Sequence, residues 1–466
     1  MLIRTASLCL LLFTLPNTLS AAIADDAPSW LQQAAGVTAP TYDRDVPAVV
    51  LLQDSTMTVD NEGKITTQTR FAIRILTREG RVFAGAAELY LTKVGKVKDL
   101  RAWLIRSNGT VKKYGGDATF DHISDQNDIY DEYRVKEIDA SQDADAGMVF
   151  GYESSTEDRP LFHQERLPFQ SRLPSLVSRY TLVLPSGWSA TSVTFNHTTI
   201  APSTNGTSYT WELQSLPPIR PEPASPETDS LAPIVAISYF PNEGIAGKSN
   251  AFEDWRQVSR WASELHDPQS VADNAVAAKA KELTANVTTE LEKIKAIGSF
   301  VQGLQYISID IGIGRGNGYR PHPAAVVLSK AYGDCKDKAN LMRAMLQSIG
   351  IVAYPVAIFL GDPTHVRSEW PSPRQFNHCI VAIKISDNTV TSSTIQHPTL
   401  GRLLIFDATD EHTLLGDLPV EEQGSLALII AGDAGGLERM PTLPPESSRL
   451  DRNAQIALAG DGSITA

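Results

Sequence analysis

An α+β multidomain chain is predicted: an antiparallel, β-rich, sandwich-like domain, then a core that mixes helices and strands. Three observations predict it. Residues 42–219 alternate apolar and polar side chains with period two, as in "SRYTLVLPSGW" and "SYTWELQ". A proline-rich stretch at 216–233, "LPPIRPEPASPETDSLAP", interrupts that pattern. Beyond it the apolar spacing becomes helical and then returns to strand-like runs, the order of an α+β fold. The boundaries read as a leader at 1–24, the β-rich domain at 25–225, a linker at 226–247 and the core at 248–438. Residues 439–466 read as the first hairpin of a further β unit that stops abruptly, as in a truncated chain.

The leader comes first. Arg4 precedes an apolar run at 6–15, and Ala22-Ile23-Ala24 offers a small-x-small cleavage site before Asp25. That run is too short to span a bilayer, and no later run is long enough. No cysteine follows the small residues to carry a lipid anchor. The expectation is an exported protein, periplasmic or secreted, without a membrane span. Of the three cysteines, Cys9 leaves with the leader, so Cys335 and Cys379 remain where thiols tend to oxidise. Two thiols do not make a disulfide scaffold, and a retained thiol calls for a chemical explanation.

The 466 residues carry 41 basic and 54 acidic side chains, a formal charge of −13 without a basic stripe. That distribution argues against nucleic acid and anionic lipid as partners. In the β-rich domain, "VDNEGKI" at 59–65 and "IRSNGTVKKY" at 105–114 have the turn chemistry of hairpins. The acidic run "TFDHISDQNDIYDEY" at 119–133 reads as a solvated loop more than a calcium site.

In the core, "AFEDWRQVSRWASELH" and "TTELEKIKAIGSFVQGL" space apolar residues three and four apart, as helices do. "GIGRGNGYRP" lacks the Lys-Ser/Thr of a phosphate loop and the spacing of a dinucleotide fingerprint, so it reads as a loop near a cleft. The nine histidines show no ligand spacing, and neither a metal nor another cofactor is expected. Three strand-like runs, "IVAYPVAIFL", "FNHCIVAIKI" and "RLLIFDAT", close the core.

Between helices and strands lies "AYGDCKDKANLMRAMLQSIGI" at 331–351. Gly333 breaks the chain, Asp334 suits an N-cap, and Cys335 falls in the first turn. Cys335, Ala339, Met342, Met345 or Leu346, and Ile349 share one stripe. The thiol then faces inward, while Lys336, Asp337, Lys338 and Arg343 mostly do not. Gly350 ends the helix. The helix N-terminus and the two lysines favour the thiolate. Locally, a packed thiol and a nucleophile are equally supported. A nucleophile needs a base and an orienting group. Strand alternation sets His378 with Ile380 and Ala382, and sends Cys379 with Val381 and Ile383 to the other face as packing. Asp407 ends a strand whose Leu403 and Ile405 share its face, and a carboxylate there needs a partner such as a histidine N–H. Each residue alone has a bland reading, a core histidine or a turn aspartate. The order Cys, His, Asp on helix, strand and strand tips the choice towards a nucleophile.

"YGDCKDKANLMRAML", "FNHCIVAI" and "IFDATD" together resemble the transglutaminase-like superfamily, a papain-like cysteine fold. The resemblance implies Cys335 as nucleophile, His378 as general base or acid and Asp407 as orienting carboxylate. "YRPHPAAVVLSKAYGDCKDKA" and "LGDLPVEEQG" further resemble an exported bacterial subgroup, in which a β-rich domain of unknown function precedes the core and a short β domain often follows. The implied reaction is acyl transfer on a protein or peptide amide through a thioester, ending in hydrolysis or amine transfer. The Cys335 backbone N–H, with Tyr306 or Gln305, would supply oxyanion donors. The rival expectation is a non-catalytic envelope or binding module. It keeps the core as a scaffold while the β-rich domain binds.

Overall fold

The computed structural model describes residues 27–124, 130–242, 251–307, 309–310, 318–449 and 451–465. The expected leader at 1–24 lies outside the described residues, as do parts of the acidic run, of the 226–247 segment and of the glycine-rich segment.

Both hairpins read from the sequence form. Asp60 accepts the backbone N–H groups of Glu62 and Lys64, each at 2.9 Å, and Gly63 takes the left-handed φ of +77° that the turn requires. The turn closes Ala48–Val59 on Ile65–Ile75 with Val59 opposite Ile65. In the second hairpin, Lys96–Ile105 pairs with Val111–Tyr114. These strands belong to an eight-stranded sheet ordered Ser203–Asn205, Ser208–Leu216, Ser175–Val183, Ala48–Val59, Ile65–Ile75, Val149–Asp158, Lys96–Ile105, Val111–Tyr114. One pair departs from the antiparallel expectation: Ala48–Val59 and Ser175–Val183 run parallel. Two smaller sheets pack on this one. Ile138 and Ala86 of the first meet Ile73, Leu104 and Phe150, while Val235, Ile237 and Tyr239 of the second meet Met57, Leu182 and Trp211. Helix α1 (Ser29–Gly36) lays Leu31 and Ala34 on Val49, Leu51, Ala72 and Trp103.

The expected linker at 226–247 is corrected, because it contains a buried strand. Ile234–Pro241 lies between Gln164–Pro168 and Trp188–Phe195, with Ile234, Val235, Ala236, Ile237 and Tyr239 all at 0% exposure. Val235, Ile237 and Tyr239 face the β-rich domain, whereas Ile234 and Ala236 pack with Trp370 of the core. A strand covered on both faces reads as a continuous apolar run, and prolines stand at its borders, outside its central ladder.

Among the described residues five α-helices follow. Asp254 caps α2 (Trp255–His266), Asp273 caps α3 (Asn274–Thr284), and Thr289 with Glu292 forms a capping box on α4 (Glu290–Gln302). Helices α5 (Ala324–Lys330) and α6 (Cys335–Ser348) complete the set. They cover one face of an antiparallel six-stranded sheet ordered Thr394–His397, Gly401–Phe406, His378–Lys384, Ala353–Ile358, Leu426–Ile429, Gly436–Arg439. Cys379, Val381, Leu404 and Phe406 face the helices, and Ile380, Ala382, Leu403 and Ile405 face the opposite side, where Leu418 and Met440 close over them. Among the described residues no helix is long and apolar enough to cross a membrane.

Helix α6 is buried on every side over residues 337–346, which corrects the expected outward Asp337, Lys338 and Arg343. Their partners explain the burial. Asp337 accepts the His322 backbone N–H at 2.6 Å, and Lys338 Nζ donates to the Gln302 and Leu304 carbonyls at 3.1 Å each. Asn340 Nδ2 donates to the Gln269 and His322 carbonyls, and Arg343 to the Ala353 carbonyl and the Asp267 carboxylate. A polar side chain inside a core needs a partner, and these take theirs from the loops around the helix.

Candidate active site

The site is built where α6 begins. Asp334 accepts the Asp337 backbone N–H at 3.1 Å, and Asp337 answers towards the Asp334 N–H, so the helix starts at Cys335. Gly333 permits this closure, since a Cβ there would lie 2.6 Å from Asp337 Cβ. Cys335 is half-buried at the helix N-terminus.

His378 opens its strand and Asp407 directly follows the neighbouring one. His378 Nε2 donates to Asp407 Oδ2 at 3.2 Å, and the Thr409 backbone N–H and hydroxyl both donate to Asp407 Oδ1 at 2.7 Å. With Nε2 committed to Asp407, Nδ1 is left for the thiol, and Cys335 is a hydrogen-bond and charge partner of the ring. Burial alone would depress the imidazole, but Asp407 and Cys335 outweigh it and push the ring up to about 10. At neutral pH the ring is therefore an imidazolium. Burial would raise Asp407, but the donors of His378 and Thr409 hold it below the usual carboxylate range.

Of the two oxyanion candidates, the fold brings one to the thiol. Gln305–Tyr306 runs parallel to Tyr332–Gly333, and this sets the Tyr306 hydroxyl against the backbone N–H and the sulfur of Cys335. Burial first, then the charges of Cys335 and Asp334, raise that phenol, so it stays a donor. Gln305 joins the ladder through its backbone, but its side chain is exposed and does not line the cleft. The cleft itself has a volume of about 410 Å³. Trp261 and Ala262 of α2, Phe376 and Leu428 of the sheet side, Tyr319, and Tyr133 of the β-rich domain form its walls.

Two expectations about neighbouring groups change. The lysines divide: Lys336 pairs with Asp334 and carries charge beside Cys335, whereas Lys338 points at the carbonyls that end α4. Cys379 is core packing, as expected, but it also borders the site. It faces the helices with Val381, lines the cleft with Cys335, and burial raises its thiol well above the usual range. Alternation placed it correctly relative to Val381. His378 reaches the thiol from the end of its strand.

Residues 277–390 match the transglutaminase-like superfamily, and residues 61–220 match a domain of unknown function for which structures have been solved, DUF3857. The core belongs to the transglutaminase-like superfamily. A solved structure from Parabacteroides distasonis ATCC 8503, described as a "putative protease", is 15% identical and covers 85% of this chain and 72% of its own, with a TM-score of 0.62. At that identity the likeness is one of fold, and it spans both domains. A structure from Cytophaga hutchinsonii, described as a "putative cysteine protease", is 10% identical over 78% of this chain and 80% of its own, but its TM-score of 0.21 carries no argument. No curated protein matches the chain.

Sequence reasoning missed three residues at the site. Tyr133 comes from the other domain, too far along the chain for any local signal. His266, on α2, lines the cleft; burial first, then Arg343 and Lys336, push it down to about 3, so it is neutral. Glu422 is 0% exposed, and its Oε1 lies 3.7 Å from His378 Nε2. It falls within "LGDLPVEEQG", quoted above for resemblance alone. His378, Asp407 and Glu422 each place one polar atom within 4.8 Å of the others, a contiguity that sequence spacing conceals. A cation there would need the imidazole neutral and both carboxyls charged.

Proposed function

We propose that this chain is an exported, cysteine-dependent enzyme that transfers acyl groups from peptide or protein amides, the observation carrying the reading being the Cys335, His378, Asp407 contact at one end of a deep cleft. The Cys335 thiolate attacks the amide carbonyl carbon, and a C–S bond forms. As the C–N bond breaks, the His378 imidazolium gives its proton to the leaving amine. The resulting thioester is attacked by water or by a primary amine, whose proton returns to His378 while the C–S bond breaks. Cys335 N–H and the Tyr306 hydroxyl are the donors placed for the oxyanion. The apolar cleft walls suit an extended peptide, and residues 1–24 support export to the periplasm or medium.

Iodoacetamide is expected to label Cys335 well before Cys379 in the folded protein, mapped by peptide mass spectrometry. Equal, slow labelling of both would sink the reading. Following the release of peptide carboxylate beside the incorporation of a labelled primary amine separates hydrolysis from amine transfer. Tyr306→Phe should lower kcat by about 10²-fold with KM little changed, since the donor acts on charge that develops after binding. An equal rise in KM would instead make Tyr306 a substrate contact.

A further inference from the structure

We propose that Glu422 is a positioning residue of this site, a carboxylic acid whose O–H donates to Asp407 and so holds the carboxylate that orients His378. The inference rests on the acyl-transfer reading for its importance but on geometry for its content. Glu422 is fully buried, and neither of its oxygens meets a hydrogen-bond donor. As a carboxylate it would be a buried charge without a donor, against a second carboxylate. As an acid it has an acceptor to turn towards, because an Asp407 carboxylate oxygen lies within 4.8 Å of it. Asp407 has room for it: Oδ1 takes both Thr409 donors, while Oδ2 takes His378.

The groups facing Glu422 are Asp407, Asp410 and His378, two negative and one positive. Burial first, then Asp407, push it up to about 9, while Asp407 stays low. Two carboxyls in contact divide in this way, one keeping the proton and the other the charge. Glu422 approaches from the sheet face opposite α6, on the turn whose Leu418 packs against Ile380 and Ile405. Cys335 thus acts on one side of the His378–Asp407 pair, and Glu422 braces the other.

The test compares wild type with Glu422→Gln, which keeps a donor and cannot ionise. A carboxyl that is protonated when folded and ionised when unfolded, with an ordinary value of 4.5, costs stability progressively as pH rises from there towards about 9. His378 also loses its contribution above about 6.5, but it does so in both proteins, so the difference between them isolates Glu422. The urea midpoint of Glu422→Gln should therefore gain on wild type steadily between pH 5 and pH 9. In parallel, Glu422→Ala should slow iodoacetamide labelling of Cys335 at pH 6 by about ten-fold or more, with Gln restoring it to within about three-fold. Midpoint curves that run parallel, or a Gln variant as slow as Ala, would overturn the proposal. So would a midpoint raised by Zn²⁺ in wild type alone, which would put a cation where we place the proton. The midpoints need no turnover, so they stand apart from any failure of the acyl-transfer reading.

Discussion

Cys335→Ala should reduce amide turnover to background, a loss of about 10⁶-fold if the contact acts as a unit. The fold should be unaffected. The thiol is half-buried, and the start of α6 is held by Asp334 and Asp337, not by the sulfur. His378→Ala should cost nearly as much, and the double variant little more, because neither group activates anything without the other. Thermal melts of the three proteins beside wild type would show whether a loss is chemical or structural. Turnover that survives Cys335→Ala would end the cysteine-nucleophile reading, whereas partner binding that survives unchanged with no turnover in wild type would favour a binding module built on the same scaffold.

Lys338→Ala should be among the most destabilising single changes in the core, about 3–5 kcal/mol in urea unfolding. Lys338 is 1% exposed, and its Nζ donates to the carbonyls of Gln302 and Leu304 at 3.1 Å each. Truncation would orphan both carbonyls at the C-terminal end of α4 and leave a cavity where the stem packs. A chain of this kind has a total stability of about 5–15 kcal/mol, so the loss is a large share. Activity should fall too. Gln302 Nε2 donates to the carbonyls of Asp410 at 2.6 Å and Thr413 at 2.9 Å, and so fixes the loop that follows Asp407. Lys338→Met, which keeps the stem, should cost less. If both variants were equally stable to wild type, the carbonyls would have found water.

Much of this architecture could be read from the residues. Turn chemistry at Asp60-Gly63 and Asn108-Gly109 marked the hairpins, and Asp334 marked the helix start, because those signals are local. The Cys335, His378, Asp407 contact was readable from one helix and two strand ends. What escaped was non-local. An amphipathic stripe predicts a helix with one wet face, but α6 is enclosed, and Asp337, Lys338 and Arg343 are satisfied by loops. Ile234–Pro241 is hidden by the prolines at its borders, which mark a linker in sequence although the apolar run between them is a strand. Glu422 gave no periodic signal, because its meaning lies in a proton shared across the fold.

The strand Ile234–Pro241 also decides where the chain can be cut. A gene fragment beginning after residue 241 would leave Trp370 bare, and one beginning before it would carry an apolar strand stripped of both neighbours. Neither half can be traded to another chain without repair. An engineering scheme that keeps this strand covered on both faces therefore keeps the two domains together.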